Sequence, residues 1–214
     1  MSAAGAGPEA KNALHLYDSR ARGGRGTLAG IDEVGRGPLA GPLVASAVVL
    51  PPDAVVEADD SKRLSDAARR RLLPGIRSAA LAVGVGWVGN AELDRLGMAK
   101  AVVLAFRRAY DRLGLPADLT LVDGRPVAGL PFDCRFVVRG DSTSLCIACA
   151  SVVAKVVRDD YMIRMDRIFP GYGFASNKGY GTAGHMAALG SLGPSPLHRR
   201  SFAPLRGGQM ELGL

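Results

Sequence analysis

The sequence lacks several features that would narrow its class. No apolar run is long enough to cross a bilayer: the longest, at residues 43–52, falls far short of the roughly 20 residues that a spanning helix needs. The opening stretch from Met1 to Pro8 is small and flexible in composition and is followed by no apolar signal core, so no secretion is expected. No amphipathic basic helix is long enough to favour a membrane surface as partner. Cysteine is scarce. Cys134, Cys146 and Cys149 are odd in number and irregular in spacing, which argues against a disulfide framework and fits a reducing cytoplasm. Cys146 and Cys149 form a Cys-x-x-Cys, but a four-ligand zinc site lacks partners, so buried small residues are the favoured reading. His185 and His198 have no acid–nucleophile context and take no catalytic role. No internal repeat or low-complexity linker divides the chain.

What remains is a chain of 214 residues, 48% hydrophobic, with a net charge of +7 and a pI near 9.7. It can fill one sizeable core, and its charge favours a polyanionic partner without specifying which. Residues 1–25 read as a flexible leader with one helical turn, 26–204 as one domain, and 205–214 as a tail. Nothing demands more than a monomer.

The chain is organised around Ala29-Gly30-Ile31-Asp32-Glu33-Val34-Gly35-Arg36-Gly37-Pro38-Leu39-Ala40-Gly41-Pro42. An apolar approach ends in two carboxylates, and a glycine-flanked arginine follows. Residues 27–33 and 43–50 read as strands whose short link implies antiparallel pairing. Ser65 is an N-cap for a helix over 66–80, which Pro74 should kink or divide. A strand over 81–88, a short helix capped by Asn90 and a helix over 98–113 follow. Further strands are expected at 118–123 and 135–139. Ser142 or Thr143 should start a long helix to about Ile168, and a short helix near 183–189 precedes the end. This order predicts an α/β fold: a mixed sheet flanked by helices.

Asp32-Glu33, Asp123 and Asp141 share a position, each at the end of a predicted strand beside a glycine. Taken singly, Asp123-Gly124 could be a turn and Asp141 a helix-start acid. Strand ends converge in space, and carboxylates gathered there repel unless cations neutralise them. With two Mg²⁺ or Mn²⁺ ions roughly 4 Å apart, such a cluster hydrolyses phosphodiesters. One difficulty stands: adjacent strand residues face opposite ways, so Asp32 and Glu33 share a site only if the strand ends or bulges there. Gly35 and Gly37 let backbone approach a ligand, and Arg36 can fork onto a phosphate.

These residues resemble the ribonuclease HII (type 2 ribonuclease H) family. The likeness is carried by residues 30–38, by Asp60-Ser61-Lys62-Arg63-Leu64-Ser65, Leu121-Val122-Asp123-Gly124 and Arg139-Gly140-Asp141. Residues 150–159, Asn177-Lys178-Gly179-Tyr180-Gly181-Thr182 and His198-Arg199-Arg200-Ser201-Phe202 carry it further, all in family order over about residues 28–204. The resemblance implies a ribonuclease H-like fold with a C-terminal helical extension. It implies hydrolysis of the RNA strand of RNA–DNA hybrids, and nicking 5′ of single ribonucleotides embedded in duplex DNA to leave 3′-hydroxyl and 5′-phosphate. By family pattern Asp32, Glu33, Asp123 and Asp141 are catalytic and hold two Mn²⁺ or Mg²⁺ ions. Gly35, Arg36 and Gly37 resemble the loop that senses the 2′-hydroxyl, a group both donor and acceptor that distinguishes RNA from DNA. Tyr180 resembles the tyrosine that stacks on the following sugar. Ser61 and Lys62 look like phosphate contacts, although Asp59-Asp60 stands where Asn-Asp is usual, and Arg139 stands for a usual lysine.

Lys155 and Asp159, four apart on the long helix, share a face; Lys155 is placed at the substrate, and Asp159 either supports the site from behind or is structural. Gly84-Val85-Gly86-Trp87-Val88-Gly89 fits a dinucleotide fingerprint but lies in a strand with no acid ending a second strand about twenty residues on, so nucleotide-cofactor binding is rejected. The terminal Gln209-Met210-Glu211-Leu212-Gly213-Leu214 resembles a sliding-clamp-binding peptide. The competing readings are another nuclease of this fold, of junction resolvase type, and a non-enzymatic basic nucleic-acid-binding protein. The Gly35-Arg36-Gly37 and Tyr180 combination argues against the first. Four acids at strand ends, which repel phosphate, argue against the second.

Overall fold

The computed structural model describes residues 8–24, 26–54, 56 and 64–206. Ser61, Lys62 and the clamp-like residues 209–214 lie outside that set. Among the described residues, strand β1 (Leu28–Val34) is the middle of five. Strand β2 (Leu43–Leu50) runs antiparallel beside it in a regular ladder from Leu28↔Leu50 to Val34↔Val44. Strand β3 (Ala82–Val88) extends that side antiparallel to β2. Strands β4 (Leu119–Asp123) and β5 (Cys134–Val137) continue the other side in parallel, giving the order β3-β2-β1-β4-β5. The mixed α/β sheet is as the sequence predicts.

Alternation along the strands sends apolar side chains to both faces. Leu28 and Val48 join one cluster beneath helix α5 (Leu145–Ile168), which also gathers helices α1 (Pro8–Arg22) and α2 (Asp66–Ala79). Ala29, Ile31, Ala45 and Ala47 join the opposite cluster with Val102, Ala105 and Phe106 of helix α4 (Met98–Asp111). Full burial of a side chain such as Phe106 contributes about 1.5–3 kcal/mol. Gly84 and Gly86 lie in β3 against α4, where a Cβ would overlap the carbonyls of Ala109 and Ala105. They serve close helix–strand packing, in keeping with the rejected nucleotide reading.

Local chemistry corrects several expectations. The leader read as loose is, over Pro8–Arg22, a helix: Leu14 is buried, and the Asp18 carboxylate accepts from the Cys146 amide at 2.8 Å, helping to cap α5. Helix α2, capped by Ser65 Oγ on the Ala68 amide, runs through Pro74 undivided; Pro74 is exposed, so water can reach the carbonyl it leaves without a donor. Asn90 does not cap helix α3 (Asn90–Leu96). Gly89 holds that position, and the Asn90 amide donates to the Pro196 carbonyl at 2.7 Å. A 3₁₀ turn over Gly140–Ser142 precedes α5, and the cap is Ser144, not Ser142 or Thr143.

Helices α6 (Phe174–Asn177) and α7 (Ala183–Leu192) form the C-terminal part. Met162 of α5 packs there with Ala40, Tyr172, Phe174 and Leu197. Among the described residues no helix is long and apolar enough to cross a membrane.

Candidate active site

The β1–β2 ladder is regular through Val34, so no bulge turns Asp32 and Glu33 together. The other side of β1 solves the difficulty. Its parallel pairing with β4 stops at Ile31↔Val122, one residue before Asp32 and Asp123. The sheet parts there, and the carboxylates of Asp32, Glu33 and Asp123 open into one cleft of about 420 Å³. Gly35, Arg36 and Gly37 line it from the loop after β1, Lys155 from α5, and Tyr180 from the C-terminal part.

Asp32 is 4% exposed. Burial, then the charges of Glu33 and Asp123, push its carboxyl well above the ordinary range; hydrogen bonds from Ser151 and the Glu33 amide oppose the rise. Each neighbour is held by a protein donor. Glu33 Oε1 sits 2.8 Å from Arg36 Nε, and Asp123 Oδ1 accepts from the Gly140 amide at 2.6 Å. So placed, no three His, Cys, Asp or Glu side chains among the described residues form a group that could hold an ion. Asp141, predicted as a fourth member, is buried in the 3₁₀ turn next to Gly140 and does not line the cleft.

Lys155 Nζ pairs with Asp159 Oδ1 at 2.8 Å, as the i,i+4 spacing predicts, and still faces the cleft. Tyr180 is 42% exposed, unusual for a large ring, and a Cβ on Gly37 would lie 3.7 Å from its edge. The glycine loop and the tyrosine therefore meet across the opening. Gly35 has φ +99°, and a Cβ there would come 2.5 Å from Arg158 Nε, so its place admits no side chain.

Sequence reading missed four residues here. Ser151 bonds Asp32 and stands four before Lys155 on α5, a spacing that marks it in retrospect. Arg69 of α2 lines the cleft, and its Nη1 donates to the Leu64 carbonyl at 2.5 Å. Arg158 and Arg199 are fully buried. Arg158 donates to the carbonyls of Pro42, Lys178 and Ala40 at 3.0, 3.0 and 3.1 Å. Arg199 donates to those of Gly41, Arg36 and Gly35 at 2.9, 3.1 and 2.6 Å. The two guanidiniums pin the loop from Gly35 to Pro42 and tie it to the segment that carries Tyr180. Burial, then the charge of Arg158, lowers Arg199 to about 9, leaving it protonated at neutral pH. The Cys146 and Cys149 thiols are buried and raised by burial above all, in keeping with their reading as core residues.

Carboxylates at a parted sheet edge, with a basic, glycine-rich loop and an exposed ring across the opening, define a hydrolase of phosphodiesters. Comparison with known proteins narrows the class. A family model described as ribonuclease HII matches residues 29–205. The ribonuclease HII of Syntrophotalea carbinolica is 51% identical over 194 residues, 90% of this chain and 93% of that protein. That of Geobacter sulfurreducens is 48% identical over 200 residues, 92% of each. The chain belongs to the ribonuclease HII family, endoribonucleases that hydrolyse RNA in RNA–DNA hybrids.

Solved structures show the same fold. The ribonuclease H2 of Pyrococcus horikoshii superposes with a TM-score of 0.73 at 24% identity, covering 84% of this chain and 95% of that one. The Archaeoglobus fulgidus RNase HII, solved as a PCNA complex, gives 0.65 at 23% identity over 81% and 92%. Bst-RNase HIII in complex with Mn²⁺ gives 0.64 at 20% identity over 84% and 68%.

Proposed function

We propose that the cleft at the parted end of β1 and β4 is where this protein hydrolyses the RNA strand of RNA–DNA hybrids and nicks 5′ of single ribonucleotides embedded in DNA. The observation that carries the reading is that one cavity gathers Asp32, Glu33 and Asp123 with Gly35, Arg36, Gly37, Lys155 and Tyr180.

Asp32, Glu33 and Asp123, which line the cleft, are the residues that would hold Mn²⁺ or Mg²⁺ once Glu33 and Asp123 turn from Arg36 and the Gly140 amide, and Asp141, buried in the adjoining 3₁₀ turn, would have to turn into the cleft to join them. The donor set fits: all are hard oxygens, and Asp32 is raised first by burial and then by the charges of Glu33 and Asp123, a repulsion that a cation relieves. Divalent cations, when bound, supply Lewis-acid stabilisation of phosphodiester oxygens and lower the pKa of water. The Mn²⁺ complex of the HIII-type neighbour supports the choice of ion.

The chain's own groups do the rest. Backbone at Gly35 and Gly37 meets the 2′-hydroxyl without side-chain obstruction. Arg36, released from Glu33, and Lys155 contact phosphates. Tyr180 stacks on the sugar of the following deoxynucleotide. Ser61 and Lys62 are proposed as further phosphate contacts. The clamp-like tail at 209–214 is proposed as a contact for a sliding clamp, supported by the PCNA complex of the Archaeoglobus relative.

The test is an end-labelled DNA duplex with one embedded ribonucleotide, incubated with Mn²⁺ and mapped for nick position. A single nick 5′ of the ribonucleotide, absent with EDTA and reduced by on the order of 10²–10³-fold or more in Asp123→Asn, is the expected result. Cleavage confined to long uniform hybrids would discard the roles of Gly35, Arg36, Gly37 and Tyr180.

A further inference from the structure

His185 and His198 are fully buried at 0% and 1% exposure, yet no step of hydrolysis uses them. Their bonds to backbone groups fix one arrangement of protons, and the Ser195 hydroxyl, 2.9 Å from His198 Nδ1, fits it as a second donor. The Ser195 backbone amide can only donate, and it lies 2.9 Å from His198 Nδ1, so that nitrogen accepts. The proton of a neutral His198 is then on Nε2. At the other end the Tyr180 carbonyl can only accept, and it lies 2.8 Å from His185 Nδ1, so that nitrogen carries the proton. His185 Nε2 is then an acceptor. The two Nε2 atoms face each other at 3.0 Å, one donor and one acceptor. The line from Ser195 through both rings to Tyr180 closes with both histidines neutral, and a third proton would set two donors against each other.

The surroundings favour that neutral state. Burial lowers both rings, and His198, beside His185 and the Arg200 cation, falls to about 4. Phe174 meets the edge of His185 with centroids 5.5 Å apart, and Tyr172 packs at 5.2 Å from His198. The segment that holds His198 also anchors the loop after β1: Ala40 bridges to His198, and the Arg199 amide donates to the Leu39 carbonyl at 2.8 Å.

We infer that the neutral His185–His198 pair is a positioning device that sets the Tyr180 backbone, and so aims the exposed ring across the cleft at the deoxynucleotide side of the RNA–DNA junction. The inference rests on the role proposed above for Tyr180. It makes the histidines positioning residues that act through Tyr180, not groups that touch substrate.

The experiment compares junction selectivity: the rate of nicking at a single embedded ribonucleotide divided by the rate within a long uniform hybrid. Wild type, Tyr180→Ala, His185→Leu, His185→Asn and the Tyr180→Ala/His185→Leu double variant are measured with melting temperatures alongside. His185→Leu should lower selectivity by about fivefold to tenfold, the scale of one lost hydrogen bond. It should add nothing to Tyr180→Ala, because both act on one element. His185→Asn, which can keep an N–H facing the Tyr180 carbonyl, should recover most of the loss.

Additive losses, or a lower melting temperature with unchanged selectivity, would overturn the inference while leaving Tyr180 its role. Unchanged selectivity in Tyr180→Ala would instead remove the Tyr180 role, and the inference with it. A second measurement needs no variant. Ring-nitrogen NMR of the wild type should find His185 protonated on Nδ1 and His198 on Nε2, and the opposite tautomers would overturn the arrangement.

Discussion

The two ends of the cleft bury polar groups in opposite ways. On the sheet side, Asp32 is buried with two acidic neighbours and sits well above its ordinary pKa. On the C-terminal side, Arg158, Arg199, His185 and His198 are just as buried, and their hydrogen bonds to carbonyls, an amide and each other close around them. The first arrangement costs stability and suits binding a cation; the second stabilises the loops that meet the substrate. A protein that keeps its reactive groups in conflict needs the supports around them settled.

Breaking the settled side should give the largest effect. Arg199→Ala strips three carbonyls of their donor, two of them buried, so a loss of about 3 kcal/mol is expected, a fall of roughly 10 °C in melting temperature. Arg199→Lys should recover little, since an ammonium lacks the planar fork that reaches carbonyls in three directions. Urea unfolding measures both.

Relieving the conflicted side should act in the opposite direction. Asp32→Asn should abolish hydrolysis yet stabilise the cation-free protein by about 1–3 kcal/mol. The pH dependence separates the two sides. A carboxyl raised in the fold contributes stability that is present at low pH and lost as pH rises through its raised value. Histidines lowered in the fold do the reverse: the unfolded chain takes up protons below about 6.5, so stability falls as pH drops from there toward about 4, the value for His198. In wild type the slopes oppose each other. Asp32→Asn should therefore show a steeper rise of melting temperature between pH 4 and 6.5, and an unchanged slope would contradict the opposition.

The smallest effect on stability belongs to the ion pair at the cleft mouth. Arg36 is 53% exposed there, so Arg36→Ala should cost less than about 1 kcal/mol. Hybrid binding should nonetheless weaken, with the salt dependence reduced by about one counterion. Filter binding across a salt series checks it.

Much of this was legible in the sequence because it is local. Alternating apolar runs gave the strands, Ser65 gave a helix start, and Asp123 beside Gly124 marked where β4 ends. What escaped depends on distant chain. Nothing near Asp32 tells that β4 stops pairing at Ile31↔Val122, which is what lets Glu33 reach the cleft without a bulge. Arg158 and Arg199 carry no local sign of burial, because their partners are backbone carbonyls 116 and 158 residues away. Asp141 shares the strand-end signature of the others, yet the 3₁₀ turn buries it beside the cleft and not in its lining.

The central claim is that the acidic end of the sheet is held in conflict for a cation to resolve. Melting of the EDTA-treated protein, titrated with Mn²⁺ or Mg²⁺, tests it most directly. Wild type should rise by several degrees as the ion is added, and Asp32→Asn, already relieved, should start higher and rise little. Equal rises in both proteins, or none in wild type at millimolar ion, would contradict it.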